Sequence, residues 1–125
     1  GGGTHFRSIT RQVLFDDNGP SGTQLRYFEI APGGHSTLER HEHVHSVMIL
    51  RGRGQALVGN EIHTLGVNDL VHVPPQTWHQ FRATADEPLG FLCLVLSERD
   101  KPQHPTPAEL AALKADGRIG PFVRA

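Results

Sequence analysis

Three histidines stand at alternate positions, His41, His43 and His45, at the head of the run Ser46-Val47-Met48-Ile49-Leu50-Arg51-Gly52. A fourth, His79, follows Pro74-Pro75-Gln76-Thr77-Trp78. In an extended strand, residues two apart point to the same face, so this spacing predicts three imidazoles on one side. Burying that many imidazoles without partners is costly, and a shared cation offsets the cost. The chemistry expected is coordination of one divalent transition metal ion by His41, His43, His45 and His79. Imidazole donors suit Zn, Mn, Fe, Ni or Cu, and the residue types do not choose among them.

Reach constrains this arrangement. The ends of a four-residue step on a straight strand lie about 13 Å apart, whereas metal–nitrogen bonds are ~2.0–2.1 Å. One ion meets His41, His43 and His45 only if the strand bulges or bends there. Four nitrogens around a tetrahedral zinc would close the site, whereas catalysis wants an open position. The chain has nine histidines; His63 and His72 fall on other strands and are not expected to be ligands. His35, in a loop near the motif, is a spare candidate. Cys93, in an apolar strand, reads as an inert buried thiol. Phe28, Met48, Leu50, Phe81 and Phe91 read as core or pocket wall. Gln80 should point away from the ligand face, in a structural role.

The elements that must position these groups are short strands, because 14 glycines and 9 prolines spread along 125 residues mark many turns. Strands are expected over 11–15, 23–30 and 41–50, with a turn over 16–22 and a stop at Ala31-Pro32-Gly33-Gly34. A hairpin is expected at 55–58 and 61–65 across Gly59-Asn60. A strand over 69–73 ends at Pro74-Pro75, and another covers 78–83. The run 89–96 is nearly all apolar and should be buried on both faces. This succession predicts an all-β barrel or sandwich. Thr106, Pro107 and Glu109 spell a capping box that opens a short C-terminal helix over about 107–116, laid outside the barrel. Its Leu110 and Leu113 are expected to make ordinary packing.

Composition bounds the rest. Length points to one domain, taken as 4–125 after setting aside Gly1-Gly2-Gly3 as a cleavage scar or trimmed start. A formal charge of −1 with mixed signs leaves no footprint for nucleic acid. No apolar run approaches the ~20 residues of a membrane helix, and no signal peptide is visible. The single cysteine excludes an intrachain disulfide and suits a reducing cytoplasm.

Residues 23–96, the expected barrel core, resemble the cupin superfamily. Its first motif reads G-x5-H-x-H-x3–4-E-x6-G and its second G-x5-P-x-G-x2-H-x3-N. Here Gly33-Gly34 precede the histidines, and Gly52 closes the first motif. Counting back from Gly52 puts His45 at the place of the usual glutamate. Strict counting then puts the two earlier ligands at Glu39 and His41; shortening by two residues puts them at His41 and His43. In the second motif Pro74 and His79 match, while Asn68, Gln76 and Ala83 stand where glycine, glycine and asparagine are usual. The resemblance implies a cupin-type double-stranded β-helix, a jelly-roll β-barrel, with the metal held by His41, His43, His45 and His79, or with Glu39 in place of His43.

Cupins include dioxygenases, isomerases, decarboxylases and proteins that only bind a ligand, and fold does not choose among them. The enzyme expectation is a metal-dependent oxygenase acting on a small organic substrate. The alternative is a non-catalytic metal-binding or small-ligand-binding module. A homodimer is expected, because apolar barrels of this size cover edge strands by pairing.

Overall fold

The computed structural model describes residues 7–17 and 21–125. The expected start at residue 4, the glycine triplet and the centre of the first turn, 18–20, lie outside the described residues. Along the chain run β1 (Arg7–Asp17), β2 (Thr23–His35), β3 (His45–Gly52), β4 (Gly54–Val58), β5 (Glu61–Leu65), β6 (Leu70–Val73), β7 (His79–Ala83), β8 (Leu89–Leu96) and α1 (Pro107–Ala115). The strands hydrogen-bond in the order β5-β4-β7-β2-β8-β3-β6, with β1 added to β2. The pairings are antiparallel, and the sheet curls into the expected all-β jelly-roll barrel.

The curl depends on β2. The expected stop at Ala31-Pro32-Gly33-Gly34 is instead a corner. Residues 23–30 pair with β8, the chain bends through Gly33 at φ +77°, and His35 pairs with Arg82 of β7. One long strand thus serves both halves of the barrel, because an extended backbone persists through the bend. Gly52, also left-handed at φ +72°, lies so close to the Pro88 carbonyl that a Cβ there would collide with it. Asn68 and Gln76, at two positions where the motif has glycine, keep the left-handed backbone, at φ 76° and 51°.

Alternation sorts the side chains. From β3 Val47 and Ile49, and from β8 Phe91, Cys93 and Val95, enter one buried cluster with Ile30 and Phe81. Phe28 stacks on Phe91 at 5.4 Å and Phe81 on Phe91 at 4.7 Å, as expected of core residues. Met48 and Leu50 do not join them. They occupy the outward phase of β3, and Leu50 is exposed. The expectation that β8 is buried on both faces also fails: Leu94 and Leu96 are 44% and 50% exposed. No described element covers that outer face, where Leu25, Met48, Leu70, Leu92 and Leu94 line a shallow apolar groove.

The tail forms a second core. Thr106 caps α1 with the full capping box, and Asp116 closes it. Beyond the helix, Ile119, Phe122 and Val123 bury against Leu38 and Leu57, with Leu110, Leu113 and Trp78 packed around them. Gln80, fully buried, clamps this layer: its Nε2 donates to the carbonyls of Ser36 and Arg124, and its Oε1 accepts from Arg124 N–H at 2.9 Å. It faces away from His79, as alternation requires. No helix among the described residues is long and apolar enough to cross a membrane.

Candidate metal centre

The strand expected over 41–50 begins only at His45; residues 41–44 form a bend. Asp100 makes that bend. Its carboxylate accepts from the backbone N–H of Glu42 at 2.8 Å and of His43 at 3.0 Å, and lies 2.8 Å from His43 Nδ1. These bonds hold the Asp100 carboxyl well below the usual carboxylate range. The His41 carbonyl is tied down by Gln76 N–H at 2.7 Å. Three pieces of chain therefore meet: the bend brings His41, the first residue of β3 brings His45, and the first residue of β7 brings His79.

The donor atoms of His41, His45 and His79 lie within 4.8 Å of one another. His41 Nε2 and His45 Nε2 are 2.9 Å apart, close to the spacing of neighbouring donors on an ion that each reaches at ~2.0–2.1 Å. Tautomers are set from behind. His41 Nδ1 donates to the His43 carbonyl at 2.6 Å, and His79 Nδ1 to the Thr77 carbonyl at 2.9 Å. Each leaves its Nε2 lone pair turned to the cluster, the arrangement of metal-bound histidines. Burial, aided by the neighbouring histidines, pushes His45 down to about 2. Burial, partly offset by the bond to Thr77, takes His79 down to about 4, and burial lowers His41 as well. Neutral imidazoles with converging Nε2 atoms fit a divalent cation.

The structure does not bring His43 into that cluster. Its ring lies flat on His41, with 3.6 Å between centroids and 4° between planes, and its Nδ1 is engaged by Asp100. Glu39 lies beside the cluster. It bridges to His79 through paired backbone bonds of 3.2 and 3.0 Å, and its Oε2 lies 3.5 Å from His41 Nε2. Burial pushes its carboxyl up to about 7, against the pull of the Arg26 charge. His63 and His72 are exposed on other strands, and His35 turns its Nδ1 to the Ser36 carbonyl.

A cavity of about 220 Å³ opens beside the cluster, with His45, His79, Glu39, Arg26, Arg11 and Cys93 among its walls. Cys93 is buried as expected, but it is not mere core: its Sγ lies 2.7 Å from His45 Nδ1 and accepts from Arg26 Nη2 at 3.5 Å. Sequence reasoning passed over Arg26, although a signal existed. Arg26 is in phase with Phe28 and Ile30, so a strand that turns those two inward turns Arg26 inward too. Asp100 lay beyond any such signal, being 57 residues from His43.

A family model described as the cupin domain matches residues 26–95. The chain is 61% identical over 122 residues to the 1-methylthio-D-xylulose 5-phosphate methylsulfurylase of Rhodospirillum rubrum, covering 98% of this chain and 78% of that protein. Among solved structures, a cupin-2 domain from Rhodospirillum rubrum superposes with a TM-score of 0.89 at 62% identity, over 94% of this chain and 78% of that one. A cupin 2 conserved barrel domain protein from Rhodopseudomonas palustris gives 0.92 at 53% identity, over 96% and 82%.

Proposed function

The chain belongs to the cupin family, and from that premise we propose that it is a metal-dependent methylsulfurylase acting on 1-methylthio-D-xylulose 5-phosphate. The substrate is the one in the name of the Rhodospirillum rubrum relative. The observation that carries the reading is the converging trio His41, His45 and His79, of which His45 and His79 line a cavity that also holds the chain's one thiol. In this reading the trio and Glu39 hold one divalent transition metal ion, and His43 supports His41 by stacking. When bound, the ion supplies Lewis-acid polarisation of a substrate oxygen.

The rest is the work of the chain. The carbonyls of His43 and Thr77 keep the Nε2 atoms of His41 and His79 unprotonated. Asp100 holds the bend that points His41 at its partners. Phe28, Phe81 and Phe91 wall the cavity with apolar surface that excludes water. Cys93 offers that space a sulfur suited to sulfur chemistry, and a free thiol fits a reducing cytoplasm.

The test is direct. The purified protein, loaded in turn with Mn, Fe, Ni, Cu or Zn, is given 1-methylthio-D-xylulose 5-phosphate and a thiol, and loss of the thioether is followed. Metal-dependent loss of the thioether supports the reading. Oxygen uptake on small organic substrates in its place would establish the oxygenase. Tight metal binding with neither activity would leave a binding module.

A further inference from the structure

We propose that Arg26 and Arg11 form an oxyanion subsite that holds the phosphate of the substrate beside the histidine cluster, an assignment that rests on the phosphorylated substrate named above. Arg26 is 6% exposed, and among the described residues its Nε has no hydrogen-bond partner. Among the described residues its Nη2 reaches only a sulfur, Cys93 Sγ at 3.5 Å, and its guanidinium lies 5.0 Å from the centre of the Phe28 ring. Other arginines are differently placed. Arg51 pairs with Glu29 at 2.8 Å; Arg40, whose Nε is likewise unpartnered among the described residues, pairs with Glu109 at 3.0 Å; and Arg82 donates to the Phe122 carbonyl at 3.1 Å. Among the described residues Arg26 forms no ion pair, and Glu39 acts on it only through space. A buried guanidinium stays charged and keeps its planar fork of donors whatever surrounds it.

The register places Arg11 diagonally from it, with Val13 directly opposite Arg26. Arg26 stands opposite Cys93 on β8, and Arg11 stands opposite Phe28 from β1. Ile9, two residues before Arg11, packs on the barrel core, so Arg11 shares the inward phase and lines the same cavity at its mouth. A third guanidinium, Arg99, is lowered by burial and then by the charges of Arg26 and Arg11. Arg26 and Arg11 thus bring positive charge to a cavity that His45 and His79 also line. A neutral sugar hydroxyl does not balance it. A phosphomonoester dianion does, and its oxygens match the guanidinium fork.

The experiment titrates the metal-loaded and metal-free chain with inorganic phosphate, D-xylulose 5-phosphate and D-xylulose by calorimetry. Both phosphate compounds should bind, with D-xylulose at least 10-fold weaker than its phosphate. Arg26→Met should weaken phosphate binding about 10- to 100-fold, the range of a lost charge-assisted contact, in metal-free protein as well. Without phosphate it should melt at or above the wild-type temperature, because an apolar side chain then replaces an unpaired buried charge. Arg11→Gln, at the cavity mouth, should weaken phosphate binding about 3- to 10-fold and tests the subsite even if Arg26→Met fails to fold. Wild-type phosphate affinity in a folded Arg26→Met, or in Arg11→Gln, overturns the assignment, as does acetate binding as tightly as phosphate. Loss of phosphate affinity in the variants, with no thioether cleavage by wild type, keeps the subsite and rejects the reaction. Wild-type KM for the phosphorylated substrate in Arg26→Met keeps the reaction and rejects the subsite.

Discussion

Replacing Glu39 by glutamine should have opposite effects on the metal-free and the metal-loaded protein. In the metal-free fold, burial raises the Glu39 carboxyl from 4.5 to about 7. The folded chain therefore holds that proton more tightly than the unfolded chain. Stability is fully present below 4.5 and is lost as pH rises through 7. Each tenfold change in acidity is worth about 1.4 kcal/mol, so ionised Glu39 costs the metal-free fold about 3 kcal/mol at pH 8. Glutamine keeps the shape of the neutral carboxyl and cannot ionise. Glu39→Gln should therefore be about 3 kcal/mol more stable than wild type at pH 8 and equal to it near pH 4. The depressed histidines act with the opposite sign but act in both proteins, and cancel in the difference. With metal the order reverses, because glutamine lacks the anionic oxygen; affinity should fall by at least the roughly 10- to 100-fold that loss of a metal ligand's supporting partner costs. Urea unfolding of chelator-treated protein at pH 4, 6 and 8 reads the first effect, and chelator competition at pH 8 the second. Unchanged stability at pH 8 would refute the burial argument. Unchanged metal affinity in Glu39→Gln, with affinity lost in His43→Ala, would return His43 to the ligand set.

Three further outcomes follow from the geometry. Chelation should lower the melting temperature of metal-loaded protein by about 10 °C, since an ion at 100 times its Kd contributes about 3 kcal/mol to a domain of this size; differential scanning calorimetry with and without chelator checks it. Gln80→Leu should cost about 2–4 kcal/mol, because it breaks the three bonds joining β7, the Ser36 carbonyl and Arg124 at about 1 kcal/mol or more each; urea unfolding and faster proteolysis of the tail after Phe122 would show it. We also propose a homodimer that covers the apolar outer face where Leu70 is 77% and Leu94 44% exposed; sedimentation should show a wild-type dimer and a Leu70→Asp/Leu94→Asp monomer.

Much of this molecule is legible from local rules. The Gly59-Asn60 hairpin, the Pro74-Pro75 stop and the capping box at Thr106 depend on neighbours in sequence, and each stands where those rules put it. Gln80 turned away from His79 because strand alternation is strict once both neighbours are in one strand. The same alternation, applied to Met48 and Leu50, would have turned them outward from the start. It failed for His41 and His43 because those residues are not in a strand at all.

Sequence by itself determined the all-β class, the chain's likeness to the cupins, and the residue types of the centre, since periodicity, turn residues and motif spacing are properties of short stretches. Tertiary structure decided which of those residues meet. Asp100, far along the chain, bends residues 41–44 and so lets His41 join His45 and His79 while His43 stacks aside. The pairing of β2 with β8 sets Arg26 against Cys93 inside the cavity, and the bridge of Glu39 to His79 brings a carboxylate to the cluster. These are contacts between residues distant in sequence, and only the curled sheet, which trades water for such contacts, selects them.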